Sequence, residues 1–128
     1  MKYLWICLGG ALGSLARYGV GEWVQHWWPT RFPLGTFLIN LTGCVAIGFV
    51  VAVLDARLPG PSPLRYAIPI GFIGAYTTFS TFELEAYKAV HAEWFLIAVG
   101  YLVGSVVLGL IGVWAGTHLG ASVVRSLR

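Results

Sequence analysis

Residues 34–54 read LGTFLINLTGCVAIGFVVAVL, an apolar stretch without a charged side chain. A membrane hydrocarbon core of about 30 Å needs about 20 mostly apolar helical residues for each crossing. This stretch meets that requirement, and so do three others, residues 4–24, 67–84 and 95–119. The sequence therefore predicts four membrane-spanning helices.

The composition of the whole chain agrees with a membrane protein. Of its 128 residues, 58% are hydrophobic and 10% are charged. An ordinary soluble domain is about 25% charged, and a small soluble core cannot cover so much apolar surface. We therefore predict that residues 1–128 form a single all-α transmembrane domain in contact with the lipid bilayer.

Polar segments with helix-breaking residues separate the spans. The proline cluster of residues 55–63 ends the second helix, because proline removes a helical hydrogen bond. The first span resembles a signal peptide, but Arg17 and Glu22 within it argue against cleavage. The net charge of +3 is spread over loops and ends, which argues against nucleic-acid binding.

The distribution of basic residues gives little preference for one orientation in the membrane. In a four-span arrangement, one side carries Lys2, Arg57, Arg65, Arg125 and Arg128, and the other carries Arg31 and Lys88. A chain with so weak a bias is compatible with insertion in both orientations.

Small residues at four-residue spacing predict closely packed helices, because membrane helices associate through backbone approach. Gly9 and Gly13 form such a pair in the first span, and Gly112, Gly116 and Gly120 form a stripe on the fourth. Packing within one chain explains the pairs. The longer stripe also suggests a partner outside this chain, and hence an oligomer.

Two polar residues share one face of the second span. Asn40 lies near its middle, and Thr36 lies one turn earlier. A buried amide without a partner costs about 4–8 kcal/mol on an alkane scale. Such groups either bond to a neighbouring helix or line a wet path, and both interpretations remain open here.

The middle of the third span is crowded with hydroxyls, at Thr77, Thr78, Ser80 and Thr81, shortly after Gly74. Hydroxyl side chains can bend a helix, and glycine lowers the cost of leaving helical geometry. A local break would expose carbonyl oxygens, which are cation ligands. A helix that is bent but continuous is the alternative.

Two further pairs of residues have helical spacing. Phe79 and Phe82 lie on one face of the third span, and Tyr101 and Ser105 on one face of the fourth. Both pairs are compatible with simple packing. Alternatively, the positive edges of the aromatic rings could favour a small anion.

Three segments together resemble the fluoride-specific ion channels, the Fluc or CrcB family: residues 9–18 (GGALGSLARY), 35–40 (GTFLIN) and 71–82 (GFIGAYTTFSTF). The resemblance implies an antiparallel, dual-topology homodimer of four-helix subunits, with the third helix broken in the middle of the membrane. It also implies two fluoride pathways at the dimer interface and a location in the prokaryotic cell membrane.

The resemblance also implies roles for individual residues along the fluoride pathway. Asn40 would donate its amide to fluoride, and Phe79 and Phe82 would present ring edges to it. Ser80 and Thr81 would help to replace the water lost by the ion.

Other positions match the family in the same way. Tyr101 and Ser105 match a polar track on the fourth helix, and we place Thr36 on the same pathway. Arg17 matches a basic residue near the aqueous vestibule, where it could gather anions. A structural sodium ion, which is not transported, would be held at the dimer centre by the main-chain carbonyls of two residues, Gly74 and Thr77.

The chain departs from the family at two positions. Gly109 stands where some relatives have a further serine of the track, and Glu83 stands where some have serine. Glu85 matches an acidic residue of relatives, and gating is the only role considered for it.

The expected function is passive export of fluoride from the cytoplasm, which limits fluoride toxicity. A proton-coupled exporter of small solutes or fluoride would need a mid-membrane carboxylate, and the first two spans lack one at their centres. A non-transporting assembly subunit would explain the glycines but not Asn40. The three histidines, His26, His91 and His118, lack ligand spacing, and we predict no enzymatic activity.

Overall fold

The computed structural model describes residues 1–127, and all regular structure within them is helical. The helices are α1 (Lys2–Trp27), α2 (Leu34–Arg57), α3 (residues 63–76), α4 (Phe79–His91) and α5 (Phe95–Ser126). The predicted all-α class is confirmed over these residues. Arg128, the last residue of the predicted domain, lies outside them.

Two of the described helices, α2 and α5, are long and apolar enough to cross a membrane. Each contains one predicted span and extends beyond its carboxyl end, as α1 does with the first span. The third predicted span, residues 67–84, covers the end of α3 and the start of α4. Helical structure is therefore interrupted inside that span.

Helix α3 is wider than an α-helix over most of its length. It begins with the turn Pro63–Arg65, continues as the π-helical segment Tyr66–Ile73 and ends with the turn Gly74–Tyr76. Pro69 lies inside the π-helical segment. Proline has no N–H to donate, and its ring collides with the carbonyl four residues earlier, so the helix widens around it.

Helices α2 and α5 pack along the glycine stripe predicted on the fourth span. A Cβ added at Gly116 would overlap the Val45 carbonyl oxygen, and one added at Gly120 would lie 2.7 Å from that of Phe49. The stripe thus packs within the chain. The suggestion that it contacts a partner outside the chain is wrong, because α2 already occupies this face.

Helices α1 and α3 approach equally closely through the first glycine pair. A Cβ at Gly9 would overlap the carbonyl oxygen of Ala67, and one at Gly13 would overlap that of Phe72. The structure therefore consists of two tight helix pairs, α1 with α3 and α2 with α5. Helix α4 packs on α5 beyond the interruption.

Candidate functional site

The site is built around the interruption between α3 and α4. Thr77 has φ −80° and ψ 159°, and Thr78 has φ −149° and ψ 120°, so both residues are extended. The Thr77 N–H still donates to the Ile73 carbonyl at 3.0 Å. Beyond Thr77 the helical hydrogen bonds of α3 end, and we call residues 77–78 the break.

Asn40 of α2 binds both backbone groups of Thr78. Its Oδ1 accepts from the Thr78 N–H at 2.9 Å, and its Nδ2 donates to the Thr78 carbonyl at 3.0 Å. The amide side chain thus replaces helical hydrogen bonds that the break has lost. Since an amide nitrogen carries two hydrogens, one Nδ2–H remains outside this pair.

The hydroxyl cluster stabilises the start of α4. Thr78 is the N-cap residue, and its Oγ1 accepts from the Thr81 N–H at 3.3 Å. The same hydroxyl donates to the Thr81 Oγ1 at 3.0 Å. A threonine at this position satisfies a backbone donor that has no helical partner. This local chemistry explains why a helix starts immediately after the break, and it leaves Ser80 exposed.

The two phenylalanines lie together but in different environments. Their ring centroids are 6.0 Å apart, and Phe79 is 74% exposed whereas Phe82 is 6% exposed. Phe82 also contacts Tyr101 edge to face, at 4.9 Å between centroids. Phe82 is therefore packed within the chain, while Phe79 projects from it beside the break.

Glu85 of α4 forms hydrogen bonds to residues of α2 and α5. The sequence alone did not place it on the pathway. Its Oε1 accepts from the Thr36 hydroxyl at 2.9 Å, and its Oε2 accepts from the Tyr101 hydroxyl at 2.7 Å. Thr36 is 8% exposed and Tyr101 is fully buried. One feature of the sequence could have indicated that Glu85 belongs to the site. It follows Phe82 by three residues and so lies on the same face of α4.

Ser105 lies one turn from Tyr101 on α5 and is not joined to this network. Its Oγ is buried and has no hydrogen-bond partner among residues 1–127. A buried hydroxyl without a partner is unusual in a folded protein, and an unsatisfied polar group calls for an explanation such as a bound ion or water.

Arg17 reaches the break from α1. Its guanidinium donates to the Thr77 carbonyl at 3.4 Å. It lines an open concavity of about 280 Å³ together with Glu22, Thr36, Thr78 and Thr81, among others. The predicted vestibule residue thus lies in the same cleft as two pathway candidates, Thr36 and Thr81.

A second concavity, of about 330 Å³, opens beside the break and is lined by Asn40, Gly74, Thr77, Thr78 and Phe79, among others. The Thr78 N–H, which would bond to the Gly74 carbonyl in a continuous helix, donates to Asn40 instead. Main-chain carbonyl oxygens that lose their helical partners are the type of ligand that sodium ions use in membrane proteins. Gly74 and Thr77 would supply them, although the Thr77 carbonyl also accepts from Arg17.

The hydroxyls that hold Glu85 should contribute measurably to stability. Hydrogen bonds to charged groups are worth about 1.5–3 kcal/mol, so Tyr101→Phe should lower the thermal unfolding midpoint in detergent. The matched control is Tyr87→Phe on α4, because Tyr87 is 60% exposed. Equal midpoints for the two variants would show that the bond to Glu85 contributes nothing.

Comparisons with known proteins agree on one family. Residues 4–117 match the family described as CrcB-like protein, Camphor Resistance (CrcB). A protein of Acidobacterium capsulatum named fluoride-specific ion channel FluC is 53% identical over 97% of this chain and 99% of its own length. A protein of the same name from Solibacter usitatus is 47% identical over 93% and 98% of the two chains.

A third relative, from Chloroflexus aurantiacus, has the same name and is 44% identical over 90% of this chain and 91% of its own length. Identity at this level, over nearly the whole of both chains, exceeds what a shared helical architecture would produce. The family match covers α1 to α4 and most of α5. This chain belongs to the CrcB family.

Proposed function

We propose that this chain is a fluoride-selective passive ion channel of the cell membrane. The observation that carries the proposal is the shared name of the relatives, fluoride-specific ion channel, at 53% identity over 97% of the chain for the Acidobacterium protein. The site supplies the chemistry that such a channel needs. Most of its candidate residues lie on helices, and Thr77 lies in the extended backbone of the break.

A fluoride pathway requires donors that replace the water of a small, strongly hydrated anion. Asn40 keeps one amide hydrogen outside its pair with Thr78, and the Ser105 hydroxyl is buried without a hydrogen-bond partner within residues 1–127. Ser80 and Thr81 add exposed hydroxyls at the start of α4, and the next residue, Phe82, contacts Tyr101. Selectivity follows from the narrowness of such a path, in which chloride is too large to fit.

Export by a passive channel is sufficient to limit fluoride toxicity. Hydrofluoric acid enters a cell as a neutral molecule and dissociates inside, which traps the anion. A negative membrane potential drives an anion outward with about 2.3 kcal/mol per charge per 100 mV. No coupling to another energy source is then required.

The assembly that we propose is an antiparallel homodimer of subunits that each cross the membrane four times. The break would lie at mid-membrane, where non-helical backbone must be covered by protein or water. Phe79 and Gly74 are exposed beside it in the single subunit. A second copy of the chain would cover them, and the weak bias of the basic residues allows that copy to be inserted in the opposite orientation.

The same dimer would hold a structural sodium ion at its centre. The carbonyls of Gly74 and Thr77 from both subunits would surround it, and the ion would supply a positive charge that stabilises the exposed backbone of the break. The ion is proposed as part of the assembly and not as a transported species.

Ion efflux from liposomes that contain the purified protein tests this function. We expect fluoride efflux in response to membrane potential alone and no measurable chloride efflux. Replacing sodium by a bulky organic cation should weaken the fluoride flux. Equal rates for fluoride and chloride would overturn the proposal.

Glu85 supports one alternative, a proton-coupled exporter. Its carboxylate lies partly buried beside the proposed pathway and is bound by Thr36 and Tyr101. Proton exchange at a carboxylate of this kind is the usual device of coupled transporters. In the same liposomes, a fluoride flux that requires a proton gradient would favour this alternative, and no flux would favour an assembly subunit.

A further inference from the structure

Gly43 lies on α2, three residues after Asn40, and it is buried against the break. A Cβ added at Gly43 would overlap the Thr77 Cγ2 methyl. Its next neighbours, Tyr76 Cδ1 at 3.6 Å and Thr77 Cβ at 3.7 Å, are at ordinary contact distance. The methyl of Thr77 therefore occupies the space that a side chain at position 43 would need.

Thr77 cannot easily turn this methyl away. Its Oγ1 donates to the Ile73 carbonyl at 3.0 Å, and its N–H donates to the same oxygen at 3.0 Å. The hydroxyl is thus bound back to α3, which directs the methyl towards α2. A β-branched side chain has few χ1 alternatives, so another rotamer would sacrifice the hydroxyl bond.

Two residues on one face of α2 thus each contact one residue of the break. Asn40 binds the backbone of Thr78, and Gly43 receives the methyl of Thr77. A displacement of Thr77 would also displace Thr78, because the two are joined by a rigid peptide plane. The bidentate pair with Asn40 would then lose its geometry.

We propose that Gly43 is a positioning residue of the channel, and that α2, through Gly43 and Asn40, is the template that sets the shape of the break. The proposal rests on the fluoride-channel function given above. Gly43 acts through Thr77 and touches no ion. Its effect reaches the pathway because Thr78 both pairs with Asn40 and caps α4 through Thr81.

Gly48 provides a matched control on the same helix. It is buried as Gly43 is, but its Cβ would overlap the Val113 carbonyl oxygen of α5. Gly48→Ala should therefore disturb only the packing of α2 on α5. The collision at Gly43, by contrast, involves a side-chain methyl and can be relieved by removing that methyl.

The test is a rescue experiment. Because the added methyl would displace Thr77 and so distort the break, Gly43→Ala should lower fluoride efflux from liposomes about 10-fold or more, which corresponds to about 1.4 kcal/mol. Thr77→Ser removes the methyl and keeps the hydroxyl. The double variant Gly43→Ala/Thr77→Ser should recover the flux of Thr77→Ser alone, whereas Thr77→Ser should not rescue Gly48→Ala.

A spectroscopic readout separates this proposal from the function on which it rests. The amide NMR shift of Thr78 reports its bond to Asn40; it should move in Gly43→Ala and return in the double variant. If the wild type conducts no fluoride but the shifts follow this pattern, the channel function is refuted and the proposal that α2 is the template is supported.

An unchanged Thr78 shift in Gly43→Ala, or a double variant that remains as impaired as Gly43→Ala, overturns the template proposal. If Gly43→Ala does not fold, folding and conduction by the double variant support the template, and failure of both variants to fold overturns it.

Discussion

Asn40→Asp should abolish fluoride flux while preserving the helical fold. The Asp carboxylate can still accept from the Thr78 N–H, but its second oxygen replaces the Nδ2 that now donates to the Thr78 carbonyl at 3.0 Å. The substitution also introduces a negative charge beside the proposed fluoride path. Two like charges about 4 Å apart repel by about 4 kcal/mol at an effective dielectric constant of 20, which corresponds to about a 1,000-fold effect.

The measurement is fluoride efflux from liposomes, together with the thermal midpoint of the same preparation. Asn40→Ala separates the two effects, because it removes the pair with Thr78 without adding a charge. We expect the alanine variant to keep more flux than the aspartate variant. Wild-type flux in Asn40→Asp would exclude Asn40 from the pathway.

Gly116→Ala should cause a large loss of stability, because the added methyl meets only the backbone of another helix. Its Cβ would overlap the Val45 carbonyl oxygen and would lie 2.9 Å from the Val45 carbonyl carbon and 3.0 Å from the Phe49 nitrogen. All three atoms belong to the backbone of α2, so no side chain can move aside. The helices would have to separate, at a cost at the upper end of the range of about 1–3 kcal/mol typical of overpacking.

The thermal midpoint of Gly116→Ala, compared with that of Gly100→Ala, checks this prediction. Gly100 lies on the same helix, and a Cβ added there meets nothing within 4 Å. Because alanine is a better helix former than glycine, Gly100→Ala should leave the midpoint unchanged or raise it slightly. A midpoint for Gly116→Ala as high as that of Gly100→Ala would contradict the close approach of α2 and α5.

The glycine stripe shows how far spacing alone can be interpreted. Glycines four residues apart predict that another backbone approaches this face, and the contacts of Gly116 and Gly120 confirm it. The spacing does not identify the approaching helix. That helix is α2 of the same chain, because the connections allow α2 and α5 to pack along most of their length.

Asn40 and Glu85 show that the sequence identifies polar residues of the site but not their bonding partners. Both could be identified in the sequence as polar groups in or near apolar spans, and their bonding partners could not. Asn40 binds Thr78, 38 positions away, and Glu85 binds Thr36, 49 positions away. Hydrogen bonds over such separations depend on how whole helices are placed, and one sequence contains no direct record of that placement.

The apolar stretch of residues 34–54 was sufficient to predict a membrane-capable helix, and similar local patterns predicted the all-helical class. Hydropathy and helical period are properties of neighbouring residues, so a sequence states them directly. The cluster of hydroxyl side chains indicated a departure from regular helix in the third span, with a bend and a break as alternatives. Only the tertiary structure shows extended residues at 77 and 78, because the Asn40 amide that replaces the lost helical bonds of Thr78 comes from another helix.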